Sequence, residues 1–304
     1  MTTGAEPGGF ATAGDLAARL AETGYLADES LATIAFLALE MQRPLLLEGE
    51  PGTGKTALAE ALAQALDAPL VRLQCYEGID ATQALYDWDF PRQILHLRTL
   101  EAAGQAIDVD KAESSLFDER FLLARPVLRA LREAPTVLLV DEIDRADDEF
   151  EAFLLEVLSD YTVTVPELGT FHAEEPPLVV ITSNRTRDVH DALKRRCLYH
   201  WVEHPDFDRE VAIVRVRVPG VGERLARQVA AATEALRSSG LYKPPGVAET
   251  IDWTAALQVL GAEQLDVATV DASLGTVLKY REDQARVRAG GLDDLVRRAV
   301  ERGA

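Results

Sequence analysis

The run Gly49-Glu50-Pro51-Gly52-Thr53-Gly54-Lys55-Thr56 decides how the rest of this chain is read. It fits the pattern G-x-x-x-x-G-K-[ST], and both flanks suit it. Before it stands a short apolar run, Pro44-Leu45-Leu46-Leu47-Glu48, of buried-strand length. After it, Leu58, Leu62 and Leu66 recur every fourth residue with Ala57, Ala61 and Ala65 beside them, a spacing that predicts a helix. Strand, glycine-rich loop and helix make a phosphate cradle. The glycines let successive N–H groups turn inward, and the helix N-terminus adds its positive end. Residues 49–57 would then surround phosphate groups, with Lys55 reaching the β- and γ-phosphates and the Thr56 hydroxyl holding Mg²⁺. A glycine-rich surface turn ahead of a lysine is the alternative, and it leaves both flanks unexplained. The stretch predicts a nucleotide-binding protein.

Composition sets the bounds. The 304 residues suggest about two domains. An apolar content of 47% with 27% charged residues is that of an ordinary globular core. The formal charge of −20, with no dense Lys/Arg block, counts against a nucleic-acid partner and so against a helicase or polymerase accessory. Cys75 and Cys197 stand far apart without metal spacing and read as two buried thiols in a reducing cytosol. No apolar run reaches the about 18 residues of a membrane span, and residues 1–10 lack the charge and apolar core of a signal peptide. The expectation is a cytoplasmic protein with a loose tail over residues 1–13.

Further apolar runs predict more strands. They are Leu70–Gln74, Thr136–Val140, Leu178–Thr182 and Leu198–Val202, most of them continuously hydrophobic, as strands buried on both faces are. With helical segments between them, the fold expected is a three-layer α/β arrangement around a parallel sheet. Tyr76 to about Arg98 is aromatic and interrupted by proline, so it reads as an insert near residues 76–98. Thr162–Val165, the turn residues Pro166–Gly169 and Thr170–His172 read as a β-hairpin near residues 161–173. After Pro205 the pattern turns helical, broken at Pro219-Gly220, Ser238–Gly240, Lys243–Gly246 and Gly290-Gly291. This gives a core over residues 14–205 and a separate all-helical domain over residues 206–304.

The third predicted strand ends in Asp141-Glu142. At the end of a buried strand an aspartate can bind Mg²⁺ while the adjacent glutamate polarises an attacking water. An acidic pair capping the following helix is the rival reading. Asn184, past the fourth strand, would sit beside the γ-phosphate and orient that water, although asparagine is also a common turn residue. Asp191–Arg196 reads as a short helix ending in Arg195 and Arg196. An arginine there can serve a neighbouring subunit's phosphate, or simply favour the helix C-terminus by about 0.3–1 kcal/mol. His200 and His204 sit on a strand-like stretch that suits no metal pair, and Asp80, Asp87 and Asp89 lack the rest of a calcium loop. The acidic run Asp144–Glu151 reads as a solvated helix face. With no N-K-x-D motif for guanine, the nucleotide expected is ATP.

Taken together, GEPGTGKT, VLLVDEIDRAD, the hairpin leading into VVITSNRTRD, and ALKRRC resemble the AAA+ ATPases, and within them the MoxR kind. The likeness covers most of residues 31–205, and ETIDWTAAL with LKYREDQARV is especially similar to the CoxD-like branch associated with carbon monoxide dehydrogenase maturation. The resemblance implies an AAA+ core with a C-terminal helical lid, ATP and Mg²⁺ as ligands, and a homo-oligomer in the form of a hexameric ring with ATP at subunit boundaries. It implies Asn184 as sensor 1 and Arg196 as the arginine finger, with Arg195 second. It also implies a partner carrying a von Willebrand factor A domain, and a chaperone-like role in maturing a client protein or metalloenzyme. One departure stands out, because Thr250–Thr254 carries no arginine where the family often has its sensor 2. A nucleotide-gated scaffold with little turnover and a nucleic-acid-stimulated motor are the competing functions, the second disfavoured by charge.

Overall fold

The computed structural model describes residues 9–102 and 116–304. Residues 1–8, most of the expected tail, lie outside the described residues. The chain divides into two compact units, neither continuous in sequence. One comprises the residues up to Ala13, Thr33–Glu48 and Leu62–His200; the other comprises Gly14–Ala32, Gly49–Ala61 and Trp201–Ala304.

The strands, in chain order, are β1 (Leu45–Glu48), β2 (Leu70–Gln74), β3 (Tyr86–Trp88), β4 (Leu122–Ala124), β5 (Val137–Asp141), β6 (Thr162–Val165), β7 (Gly169–His172), β8 (Leu178–Ser183) and β9 (Leu198–Trp201). Five of them form the expected parallel sheet, flanked by helices, in the order β2-β5-β8-β1-β9. Leu45 pairs with Val180, and Leu138 with Val179 and Val71. Every residue of β1 and β5 is buried, as is all of β8 after Leu178. These interior strands therefore need apolar side chains on both faces, which is why their sequence does not alternate. At the sheet edge β2 does alternate, with Val71 and Leu73 inside and Arg72 and Gln74 outside. The helix Asp148–Asp160 lays Phe150, Leu154, Val157 and Leu158 into the core at helical spacing. Asp147 starts it by accepting the Phe150 N–H at 2.9 Å.

The excursion after β2 is longer than the sequence suggests. Helix Phe90–Ala102 runs past Arg98, and β3 pairs antiparallel with β4, Tyr86 opposite Ala124 and Trp88 opposite Leu122. A three-residue strand is too short to carry a period, so β4 leaves no trace in the pattern. The insert's aromatics also divide. Tyr76 and Phe90 are exposed, whereas Tyr86 and Trp88 pack against the core cluster. Trp88 meets Phe117 edge-on at 5.2 Å and Tyr86 at 6.2 Å. The hairpin β6–β7 pairs Val163 with Phe171 and Val165 with Gly169.

In the second unit the helices Phe207–Arg217, Glu223–Arg237, Val247–Val259, Val267–Val277, Arg281–Gly290 and Leu292–Arg302 are separated at the expected breaks and at two others, after Val259 and after Val277. Trp253 is fully buried among them and donates its indole N–H to Ser273 Oγ at 2.8 Å. Both cysteines are free and buried, and burial pushes each thiol up to about 12. Among the described residues, no helix is long and apolar enough to cross a membrane.

These contacts make Trp88 a packing residue. Trp88→Ala is expected to cost about 1–3 kcal/mol, less than the about 3–5 of a fully buried aromatic. A urea titration checks this, and an unchanged midpoint would contradict it.

Candidate functional site

In the first unit, polar residues gather where β2, β5 and β8 end. Asp141 closes β5 and is buried. Its Oδ1 accepts the Thr182 hydroxyl at 2.6 Å and its Oδ2 pairs with Arg72 on β2. Thr182 in turn accepts the Glu142 N–H at 2.9 Å, so one hydroxyl ties the end of β5 to β8. Glu142 itself leaves the strand in the left-handed region, with φ 56°. That conformation is costly for a residue with a Cβ, and strained backbone of this kind clusters at functional sites. It turns the carboxylate toward three donors: Asn184 Nδ2 at 3.3 Å, Gln74 Nε2 at 3.2 Å and Arg145 Nε at 2.8 Å. Two residues expected from sequence, Glu142 and Asn184, are thus brought within hydrogen-bonding distance. Gln74, Thr182, Arg72 and Arg145 were not foreseen. A polar residue closing each strand is the signal that would have marked Gln74 and Thr182.

The acidic run after Glu142 is a solvated face only in part: Asp147, Asp148 and Glu149 are exposed, but its two end carboxylates are not. Asp144 and Glu151 are both buried, at 4% and 1% exposure. Each anchors the loop that follows β8. Asp144 accepts the N–H groups of Asn184 at 3.1 Å and Thr186 at 2.9 Å, and the Thr186 hydroxyl at 2.6 Å. Burial raises the Asp144 carboxyl, but these hydrogen bonds outweigh it and hold the group below its ordinary value. Glu151 pairs with Arg187 and accepts the His190 N–H at 2.7 Å. Simple charge counting misses this, because the partners lie some forty residues away in sequence.

The glycine-rich loop belongs to the second unit. Its first residue follows directly on β1, whose last residue, Glu48, pairs in register with Ser183. Lys55 is buried and folds back over the loop, donating to the Gly49 and Glu50 carbonyls at 2.8 Å each. Thr53 Oγ1 donates to Glu50 O at 2.9 Å. Gly52 and Gly54 hold φ of 80° and 93°, a conformation that L side chains rarely adopt. Helix Lys55–Ala65 starts at once, so Thr56 and Ala57 lie in its first turn and Pro51 on the loop's exposed side. Within the same unit the helix Val247–Val259 is capped by this loop: Val247 N–H donates to Gly52 O at 3.0 Å and Ala248 N–H at 3.3 Å. A Cβ on Gly246 would stand 2.9 Å from Gly52 Cα and from Pro51 O, so the approach requires glycine.

No arginine stands at the start of that helix. Thr250 instead donates to Glu210 Oε1 at 2.7 Å, and Arg237 is committed to both Glu210 oxygens at 2.7 Å and to Pro245 O at 2.8 Å. His204 lies nearby with a buried Nδ1 that has no hydrogen-bond partner among the described residues. Its pKa is lowered by burial first and by the charges of Arg237 and Lys55, against the opposing pull of Glu210 and Glu50.

The helix Asp191–Arg196 belongs to the first unit. Its N-terminal neighbour His190 is fixed by Glu151, and its C-terminus presents Arg195 and Arg196 exposed. Among the described residues, neither guanidinium has a carboxylate partner.

The AAA domain family of the dynein-related subfamily matches residues 44–197, just over half of the chain. The chain belongs to this family. Membership puts it among the AAA+ ATPases, whose activity depends on nucleotide. An uncharacterized protein of Staphylococcus haemolyticus is 27% identical to this AAA protein over 218 residues, which span 69% of this chain and 74% of that one. The uncharacterized protein YehL of Escherichia coli is 32% identical over 189 residues, 59% of this chain but only 46% of its own length. Among solved structures, a point mutant of RuvB from Thermotoga maritima superposes with a TM-score of 0.50 at 19% identity, covering 87% of this chain and 74% of that one. At that identity the likeness is one of fold.

The Glu151 network makes a stability prediction. Glu151→Ala strands the His190 N–H and one face of Arg187, which is about one-third exposed and can partly rehydrate. The expected loss is about 1–3 kcal/mol, with Glu151→Gln milder because it keeps an acceptor. Guanidinium unfolding of the two variants measures it; equal midpoints for Glu151→Ala and the parent protein would show the network to be idle.

Proposed function

We propose that this AAA protein binds ATP with Mg²⁺ and hydrolyses ATP to ADP and phosphate. The residues fit those ligands. Gly52 and Gly54 keep the loop backbone in a conformation that aims N–H groups inward, and Lys55 supplies a buried cation. Asp141 and Thr56 are oxygen donors, the hard set that Mg²⁺ takes. When bound, the metal neutralises charge on the phosphate oxygens.

The observation that carries the reading is the setting of Glu142. Its carboxylate is exposed enough to meet water, aimed by a left-handed backbone, and held between Asn184 and Gln74. A carboxylate so placed can accept a proton from an attacking water while the Asn184 amide orients that water. Arg145 is the one cation on Glu142 among the described residues, and its exposed side chain is free to swing away.

The finer reading follows from the motifs. GEPGTGKT, VLLVDEIDRAD, the β6–β7 hairpin and ALKRRC support membership of the MoxR kind, and ETIDWTAAL with LKYREDQARV the CoxD-like branch. On that reading the protein works in the cytoplasm as a homo-oligomeric ring, a hexamer, with helices 206–304 as its lid. Arg196, or Arg195 beside it, reaches a neighbour's phosphate, which fits two exposed guanidinium groups without carboxylate partners among the described residues. Turnover then drives remodelling or maturation of a client protein or metalloenzyme, together with a partner carrying a von Willebrand factor A domain. The charge of −20 argues against a nucleic-acid motor.

Phosphate release together with ATP binding tests the chemistry. Lys55→Ala is expected to lose tight ATP binding. Glu142→Gln keeps the loop and the Asp141 carboxylate, so it is expected to bind ATP and turn over at least about a hundredfold more slowly. Hydrolysis by Glu142→Gln at the parent rate would overturn the assignment, and tight binding without measurable turnover in the parent protein would favour the nucleotide-gated scaffold.

A further inference from the structure

The last carbonyls of a helix have no partner within it. At the C-terminus of helix Asp191–Arg196 those carbonyls converge on a single side chain from another element, Arg43, which stands two residues ahead of β1. Its Nη2 donates to Arg195 O and Arg196 O at 2.9 Å each and to Cys197 O at 3.4 Å, and its Nε donates to Arg196 O at 3.1 Å. One guanidinium thus spans three consecutive peptide units, and they are the units that carry Arg195 and Arg196.

Charge balance does not explain this arrangement. The helix end already holds Lys194, Arg195 and Arg196, which satisfy its dipole. A fourth cation there adds repulsion among like charges. What Arg43 adds is geometry: its Nη2 and Nε meet these carbonyls from one rigid plane, whereas the three donors of an ammonium turn freely on a flexible stem. Arg43 is itself held from behind. Its N–H donates to Ala38 O at 3.1 Å, closing the helix Glu29–Glu40, and the preceding residue Gln42, at φ 49°, accepts the Tyr161 hydroxyl at 3.1 Å. Cys197, next in the chain, is buried and anchors the strand side of the turn.

We infer that Arg43 is a positioning residue for the arginine pair: it locks the backbone from which Arg195 and Arg196 project, and so sets where their guanidinium groups reach beyond their own subunit. The inference rests on the shared-site reading above. An arginine supplied by a neighbour contributes about 10³–10⁵ in rate. Misaiming it by loosening its backbone forfeits part of that and touches neither the phosphate loop nor the strand-end cluster.

The test uses steady-state phosphate release, binding of a non-hydrolysable ATP analogue, and mixing of subunits. Arg43→Ala is expected to lose at least about tenfold in kcat, with analogue affinity within about twofold of the parent. Arg43→Lys, which keeps the charge but not the fork, is expected to lose nearly as much. It carries the same assays if Arg43→Ala does not fold. The double variant Arg43→Ala/Arg196→Ala is expected to be no slower than Arg196→Ala. The decisive readout is mixing with Lys55→Ala subunits, which have a dead site but an intact arginine pair. Turnover is expected to return in mixtures with Arg43→Ala, because each sound site then meets a well-aimed neighbour. A loss of kcat that mixing does not restore would overturn the inference, since it would place the effect of Arg43 in its own subunit. So would parent-like turnover of Arg43→Ala alongside a slow Arg196→Ala. If Arg195→Ala and Arg196→Ala both turn over at the parent rate, the shared-site reading has failed, and the inference falls with it.

Discussion

Strands buried on both faces have room for polar groups only at their ends, and the rest of this structure depends on that constraint. β1 and β5 expose no residue, and β8 exposes only part of its first. An ordinary core therefore delivers a set of polar side chains to one edge of the sheet: Glu48, Asp141, Thr182 and Ser183, all buried. Buried polar atoms seek partners, and Asp141 and Thr182 find each other while Glu48 accepts the Tyr199 hydroxyl and Ser183 the Arg185 N–H. The Thr182 hydroxyl bridges Asp141 and the Glu142 amide, and Asp144 gathers the loop after β8. The carboxyl edge of a parallel sheet is where ligands of such folds bind. Here the hydrogen bonds that make the edge tolerable also hold Glu142 in its strained conformation.

Close backbone approach plays the corresponding part in the second unit. Gly52 must turn through a positive φ to shape the loop, and Gly246 must lack a side chain for the helix Val247–Val259 to meet it. The Gly52 carbonyl then satisfies two N–H groups of that helix, which have no partner within it. The helix start, where the family resemblance expects an arginine, is occupied by glycine and by Glu249, whose carboxylate accepts the Gly246 N–H at 2.9 Å. Arg237 has a separate structural duty, a bidentate pair with the buried Glu210.

Where a structural feature is local in sequence, the chain was readable. The strand–loop–helix around Lys55, the acidic pair closing β5, and Asn184 closing β8 all announce themselves by spacing, and so does the alternation of strands with helices that gives the sheet. The remainder depends on pairings between distant segments. Gln74 and Glu142 are 68 residues apart, Asp144 and Thr186 are 42, and Arg43 and Arg196 are 153. No periodicity marks such pairs. For the same reason the run Asp144–Glu151 looked like a charged surface while two of its carboxylates serve as buried anchors. Likewise β4, three residues long and paired with β3, hid the true length of the insert.

The central claim, as proposed above, is that this AAA protein binds ATP together with Mg²⁺ and that Asp141, which closes β5, holds the metal. Calorimetric titration of ATP, with and without Mg²⁺, tests it most directly when hydrolysis is blocked by Glu142→Gln. In that background Mg²⁺ should tighten ATP binding by at least about tenfold, or about 1.4 kcal/mol. Adding Asp141→Asn should reduce that gain to less than about twofold while leaving Mg²⁺-free binding at the loop intact. An undiminished effect of Mg²⁺ in the double variant would contradict the account, because the metal on the nucleotide would then owe nothing to the end of β5.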